Sequence, residues 1–524
     1  MKKIYLLLAL TLSLTSSAQN GGWLWAKSND NDATSSGHAV AAAADGSIYA
    51  AGSFTGAQLT FGSDTYTNLG TLSQFYLAKY NADGAVQWSK SANANTGLSE
   101  ISAIVVDEAG ALFAAGRYTG TLTIDNLTLT SPDYSCFAAK FSADGSVEWL
   151  KQVGVAQWST VSGIANYGDF IYIAGSYNGA TMNFPSTVLN NNGESDVFVA
   201  KLDLEGNYYW ADSFGGSGQD YASAVELDSF GNLYLTGSFS TSATFGGDTV
   251  NSNGFTDIFL IKYDNQEQPA WIKSYGGSQY DWAFSLAVDL TSNLYASYGY
   301  SNTVNFGGTQ YTSQGYNDSA IIKYNSQGNI EWTKTMSGPS NEYAADITTD
   351  GSGNVYATGY SYSGNITFAG AGYTLPGVSS MFVARLNADG SLGWFTQAGE
   401  MDGTEGHGIA LDILNNAVVT GYASNITFGS TTLDSGYNMF VSKYGPQALD
   451  AGKFDLPTVA VYPNPASDLL TIVGANNTTY NIYDVTGRTV ANGETGNSAI
   501  NVSSLPSGMY IVSINNTSIK FIKE

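Results

Sequence analysis

The chain is expected to be all-β, a seven-bladed β-propeller closed by an N-terminal strand and followed by a small Ig-like β-sandwich. Three observations predict this. A tryptophan recurs at Trp25, Trp88, Trp149, Trp210, Trp271, Trp332 and Trp394, at steps of 63, 61, 61, 61, 61 and 62 residues. A basic residue keeps the same period at Lys79, Lys140, Lys201, Lys262, Lys323, Arg385 and Lys443. Finally, 524 residues with 60 Gly, 35 Tyr and only 12% charged residues suit many short strands and tight turns, in an array too long for one core.

In chain order, residues 1–18 are expected to form a secretory signal: Lys2 and Lys3, an apolar run over 4–14, then Ser16-Ser17-Ala18. The run is too short to span a bilayer and no later stretch is long enough, so no transmembrane segment is expected. No cysteine stands at the cleavage point for a lipid anchor. The single Cys136 has no partner for an internal disulfide, so packing and strand pairing must hold the fold. Removal of the signal leaves 17 basic against 44 acidic residues, a balance of -27 that repels anionic lipid and excludes a nucleic-acid partner.

Residues 19–444 carry the repeat, and 221–274 serve as its type. AVELD (224–228) alternates as a half-buried strand, SFGN turns, LYLTGSF (233–239) is a second strand, a loop passes through Thr244-Phe245-Gly246-Gly247, and DIFLIKY (257–263) and AWIKS (270–274) complete four antiparallel strands. One such sheet cannot bury both faces, so it must stack on its neighbours, and radial stacking removes most edges. The strand over 22–27 has a fourth-strand tryptophan but no first three strands. The last unit runs 407–412, 417–422 and 439–444, then meets Gly445-Pro446 where its fourth strand belongs. Residues 23–27 are therefore expected to pair beside 439–444; an open solenoid would leave both edges bare.

The segment GGSGQDYASAVELDSFGNLYLTGSFS (215–240), followed by DIFLIKYD, resembles the bacterial seven-bladed β-propeller repeat family. The resemblance implies a fold and no single activity. Units one to three depart from it before their first strands, where the GGSG is replaced.

After a linker over 445–457, residues 458–524 show short β segments that suit a small sandwich. YPNPASD (462–468), YDVTGR (483–488) and LPSGMYIVSI (505–514), closing on KFIKE, resemble in this order the type A C-terminal sorting domain of the type IX secretion system. The resemblance implies that residues 458–524 are an export address for the type IX machinery, that the protein is secreted to the outer surface, and that the domain is removed on arrival. Asn515-Asn516 stand where that family often has glycine. The absence of tryptophan after Pro457 argues against a carbohydrate-binding sandwich.

Catalytic groups are few. His38 and His407 are the only histidines, each near the start of a first strand, in units that a closed ring makes neighbours; a metal would need a third ligand, and two strand-end polar residues is the plainer account. No serine lies in a G-x-S-x-G elbow. SADGSVEW (142–149) resembles a sialidase Asp-box, but its spacing is wrong and Arg117 and Arg385 are the only propeller arginines, where a sialidase uses three. Asp220, Asp281 and Glu342 each follow their tryptophan by ten residues, with Glu100 and Glu405 slightly displaced. If first strands line the axis, these acids ring one mouth and suit a hard cation such as calcium; otherwise each caps the amides of its own loop, and no cofactor is expected. Equivalent acids would supply no unequal acid and base.

The repeated tryptophans are expected to pack between blades, whereas the non-repeated Trp158, Tyr280 and Trp282 are ligand candidates, with His38 and His407 beside them. The expected function is a secreted, non-enzymatic binding or adhesion module with an extracellular glycan or protein partner. The alternatives are a glycan-cleaving hydrolase or lyase and a structural surface or matrix protein.

Overall fold

The computed structural model describes residues 21–30, 33–68, 70, 72–92, 97–377, 379–399, 403–433, 436–446, 460–462, 465–473, 478–485, 487–495, 499–514 and 517–524. The expected signal over 1–18, the linker beyond Pro446 and the Asn515-Asn516 turn lie outside these residues. The chain divides into two units, 1–446 and 447–524. Both are all-β and no α-helix occurs among the described residues, so none is long and apolar enough to cross a membrane.

The larger unit is propeller-like, built from seven antiparallel sheets of four strands, one of them lengthened to six by an outer hairpin. The fourth sheet shows the rule: Asp220–Leu227, Leu233–Phe239, Asp257–Tyr263 and Pro269–Tyr275 pair in that order. Its second strand is buried throughout, because sheets pack on both of its faces. Gly21–Ser28 pairs antiparallel with Asn438–Pro446, Trp25 lying opposite Lys443, and this strand completes the sheet of Thr404–Leu411 and Ala417–Ala423. The partner strand runs on through Gly445 and Pro446, where a linker was expected to start, because Gly21 and Gly22 extend the ladder.

Cross-sheet hydrogen bonds run from each sheet to the next and from the last to the first. His38 Nδ1 reaches Ile101 O at 3.1 Å, Cys136 N donates to Ser159 Oγ at 3.2 Å, and Ala222 N to Ser176 Oγ at 3.0 Å. Ala283 N donates to Ser238 Oγ at 3.4 Å, Ser285 Oγ to Asp346 Oδ1 at 2.6 Å, and Ile409 N to Asp346 Oδ2 at 2.8 Å. His407 Nδ1 against Gly37 O, at 3.0 Å, completes the set.

The repeated residues latch one sheet to the next. Trp25, Trp88, Trp149 and Trp332 donate their indole N–H to Ala82, Ala143, Leu204 and Ala388 carbonyls in a hairpin of the following sheet, at 2.9–3.1 Å. Each ring lies against a hairpin glycine at positive φ, Gly84, Gly145, Gly206 and Gly390, where a Cβ would meet the indole. Glu267 occupies the equivalent place in the fourth sheet at φ 56 and ion-pairs with Lys201 at 2.5 Å. The periodic basic residues serve the same hairpins: Lys79 Nζ donates to Ala143 O, Lys262 Nζ to Ser326 O and Lys443 Nζ to Ala82 O.

One expected loop is a hairpin. The segment through Thr244-Phe245-Gly246-Gly247 folds as Ser242–Phe245 and Asp248–Asn251, turned by Gly246 and Gly247 at φ 54 and 96. Its Ala243 and Phe245 are buried, and Leu59 with Phe61, Val304 with Phe306 and Ile366 with Phe368 repeat the anchor in other sheets.

The smaller unit has a three-stranded sheet, Ala460–Tyr462, Leu469–Val473 and Ala499–Asn501, and a four-stranded sheet of Thr479–Asp484, Thr489–Glu494, Gly508–Ile514 and Thr517–Lys523. They share a core of Leu470, Ile472, Ile482, Ile500, Val512 and Phe521.

Candidate functional site

All seven first strands carry a register shift near their third residue. A bulge leaves one residue out of the ladder and re-aims its side chain. The residues so displaced are His38, Ser102, Ser162, Ser223, Phe284 and His407, with Ala344 and Ala345 in the remaining strand, and most of them line one central cavity of about 280 Å³. Identity varies from strand to strand here, whereas the backbone device is constant. Serines therefore occupy one arc of the ring, and Phe284 and the two imidazoles the other.

Aromatic residues crowd the second arc. Tyr343 stands 5.9 Å from Phe284, 4.9 Å from Tyr360 and 6.4 Å from Tyr362, and His407 lies 6.0 Å from Tyr360 and 5.5 Å from Tyr422. Phe284, Tyr343, Tyr360, His407, Ser162 and Ser223 line a further cavity of about 360 Å³. Glu405 is held among these rings: Tyr362 donates to its Oε1 at 2.7 Å and His407 Nε2 is 3.3 Å from its Oε2. Burial alone would raise its pKa, but the bonds from His407, Tyr362 and Tyr422 outweigh burial and hold the carboxyl below its usual value. Glu100 is engaged by Arg117 at 2.7 Å and Ser73 at 2.7 Å.

Glu226 and Asp346 also line the cavity of about 280 Å³. Burial, then the neighbouring Asp346, pushes Glu226 up to about 8. Burial pushes Asp346 to about 6, against the opposing hydrogen bonds from Ser285, Ile409 N and Ile347 N. Burial and then His407 lower the pKa of His38, which favours its neutral imidazole.

The structure brings His38 and His407 to one cavity, as the pairing of units one and seven requires. Tyr280 and Trp282 stack at 6.0 Å with planes 5° apart, and Phe255 stacks on Tyr280 at 4.8 Å, an aromatic ladder whose Phe255 and Tyr280 are exposed and whose Trp282 is half-buried. Trp158 starts Trp158–Tyr167, two sheets away from that ladder. Asp220, Asp281 and Glu342 are not brought together: each is fully buried at the head of its own strand. Gly216 N donates to Asp220 and Gly277 N to Asp281, both at 2.7 Å, while Ser361 and Ser363 donate to Glu342. Among the described residues no group of three or more His, Cys, Asp or Glu is placed to hold a metal ion. Sequence reasoning missed Glu226, Asp346, Phe284, Tyr343, Tyr360, Tyr362 and Tyr422. Of these only Phe284 stands at the bulge, where a comparison of units at one register position finds it; the others lie at other positions and no motif marks them.

Residues 460–524 match the family described as the secretion system C-terminal sorting domain, and residues 363–392 match a β-propeller domain of unknown function. The protein is thus a β-propeller cargo of type IX secretion, delivered to the cell surface or the extracellular space. No curated protein matches the chain. Similar solved structures include the Neurospora crassa Pan2 WD40 domain, at 7% identity over 79% of this chain and 89% of that one, TM-score 0.40. Another is PorZ, an essential surface component of the type IX secretion system of Porphyromonas gingivalis, at 12% identity over 93% and 81%, TM-score 0.25. A protein of unknown function from Dyadobacter fermentans aligns at 9% identity over 80% and 99%, TM-score 0.38. Likenesses this distant carry no function across.

Proposed function

We propose that the protein is a surface-delivered, non-enzymatic binding module: a closed seven-bladed propeller that takes an extracellular glycan at the mouth of its channel, with an Ig-like sandwich as its export address. One observation carries the reading. The bulge positions share a backbone but not a residue, and the differences concentrate Phe284, His38 and His407, backed by Tyr343, Tyr360 and Glu405, on one arc. In a repeat, the place where units diverge is where selection for a ligand acts. Aromatic faces offer flat apolar contact to a sugar ring, and the serine hydroxyls and Glu405 offer hydrogen bonds to its hydroxyls. The stacked Phe255, Tyr280 and Trp282 extend the contact outward, which suits a chain rather than a monosaccharide.

The test is a glycan array probed with the secreted mature chain, with and without calcium, beside Tyr343→Ala and Trp282→Ala. Binding without turnover, independent of calcium and weakened at least about tenfold (~1.4 kcal/mol) by either substitution, is expected. Equal binding by the variants, or none on any glycan, contradicts the reading.

A second reading rests on Glu226 and Asp346, two carboxyls of unequal environment on one cavity, the arrangement an acid–base hydrolase needs. Release of shorter oligosaccharides, abolished by Glu226→Gln, would favour it.

A further inference from the structure

Six carboxyl groups, Asp196, Asp220, Asp257, Asp281, Asp318 and Glu342, have no exposed surface at all. They fall into three pairs at successive sheet boundaries. The first residue of a third strand (Asp196–Asp203, Asp257–Tyr263, Asp318–Tyr324) meets the first residue of the next sheet's first strand (Asp220–Leu227, Asp281–Val288, Glu342–Thr349). A Cβ on Gly215 would collide with Asp196 Oδ1 and Asp220 Oδ2 together, so these two oxygens face each other across one glycine. The Asp318 and Glu342 carboxyls are within hydrogen-bonding reach of each other. At other boundaries the same places hold neutral groups, as where Ser99 Oγ donates to Gln74 Oε1 at 3.1 Å.

None of the six forms an ion pair among the described residues. The other titratable groups facing them are acids or phenols: Tyr177 beside Asp196, itself close to Asp212, and Tyr300 beside Asp318 and Glu342. Two buried carboxylates side by side without a cation cannot both stay ionised. Donor groups surround them: Asn192 N and Nδ2 donate to Asp196 Oδ2, Asn253 N and Nδ2 to Asp257 Oδ2, and Gln314 N to Asp318 Oδ2, all at 3.0 Å. Hydrogens pointing inward suit an anion and oppose a metal ion. Asp196 Oδ1 and Glu342 Oε2 nevertheless accept nothing, although both are buried.

We infer that each pair holds one proton between its two carboxyls, so that three of the sheet boundaries are proton-locked and loosen when that proton is lost. Burial raises Asp220 and Asp281 to about 7, and burial with the Asp318 neighbour raises Glu342 to about 7. A folded-state pKa above the unfolded value means that the native state binds more protons. The contribution is therefore fully present below the ordinary carboxylate range and is lost as pH rises through about 7. A surface protein built this way holds the boundaries from its third to its sixth sheet, and with them Phe284 and Tyr343 on either side of the last, more firmly in mildly acidic surroundings than in alkaline ones.

The test compares the thermal midpoint of the mature chain from pH 5 to pH 8.5 with that of Asp196→Asn, Asp257→Asn and Asp318→Asn combined, each amide standing in for the protonated partner. The wild-type midpoint should fall by several degrees across that range and the triple variant's should fall much less. Should the triple variant not fold, Asp196→Asn alone is compared, and the infrared carbonyl band of protonated carboxyls is followed in the wild type at pH 6.5 and pH 8.5. That band should weaken at the higher pH. A wild-type midpoint that does not fall, or a calcium-induced rise that removes the pH dependence, would overturn the inference, the second by showing that a metal ion rather than a proton fills the gap.

Discussion

Consider the latch of Trp332 on Gly390. The indole Nε1 donates to Ala388 O at 3.1 Å, and a Cβ on Gly390, whose φ is 77°, would stand 2.9 Å from Trp332 Cδ2. Gly390→Ala therefore has two costs: about 1–2 kcal/mol for a left-handed alanine, and ~1 kcal/mol or more for driving a methyl into a ring held by its neighbours. Trp332→Ala removes a half-buried ring and one hydrogen bond, at about 3 kcal/mol. Lys334 Cε stands 2.7 Å from the same Cβ but ends a flexible chain that can move aside, so once the ring is gone most of the steric cost of Gly390→Ala disappears and the backbone cost remains. The double variant should thus be more stable than additivity predicts by about 1–2 kcal/mol. Urea unfolding followed by far-ultraviolet circular dichroism on wild type, both single variants and the double closes the cycle. Additivity within about 0.5 kcal/mol would refute the claim that the repeated tryptophan is held by the repeated glycine of the next sheet.

Further outcomes follow from the same geometry. Lys443 and Asp412 are both largely buried and lie 2.6 Å apart, so Lys443→Met should destabilise by about 3–5 kcal/mol, and adding Asp412→Asn should recover most of that loss in a urea titration. Cys136 is fully buried and burial pushes its thiol up to about 12, so a thiol reagent at pH 8 should leave the native chain unlabelled and react fully in denaturant. Asp412 and Glu405 are held below their ordinary values, for both against the opposing effect of burial, by Lys443 and Asn416 for the first and by His407 and the tyrosines for the second. The stability they supply is present above the ordinary carboxylate range and is lost as pH falls through their folded values. Unfolding should steepen below about pH 4 in wild type and less so in Glu405→Gln.

Much of the architecture was legible because it is periodic. Trp25 and Lys443 keep the beat of residues that latch one sheet to the next, and each end of the larger unit lacks the strand the other supplies, so their pairing followed from counting. The outer hairpins were less visible, since Ser242–Phe245 and Asp248–Asn251 are each only four residues long and their Gly246-Gly247 turn reads as a loop. The site was the least legible. The bulge that aims His38, Phe284 and His407 inward is a backbone event at a register position, and the sequence marks it with no fixed residue. Asp220, Asp281 and Glu342 drew attention because they repeat, and repetition here reports a boundary between sheets. Glu226 and Asp346 occur once each, and only the packing of the sheets reveals that they line one cavity.

The two ends of the larger unit meet in one sheet, and that pairing sets His407 against the strand of His38. Ala26 lies opposite Ser442 in the ladder of Gly21–Ser28 with Asn438–Pro446. In the variant carrying Ala26→Cys and Ser442→Cys, air oxidation of the monomeric mature chain should join the two peptides within one molecule, as read by digestion and mass spectrometry, and raise the thermal midpoint. Failure to cross-link, or cross-linking only between molecules, would contradict that pairing.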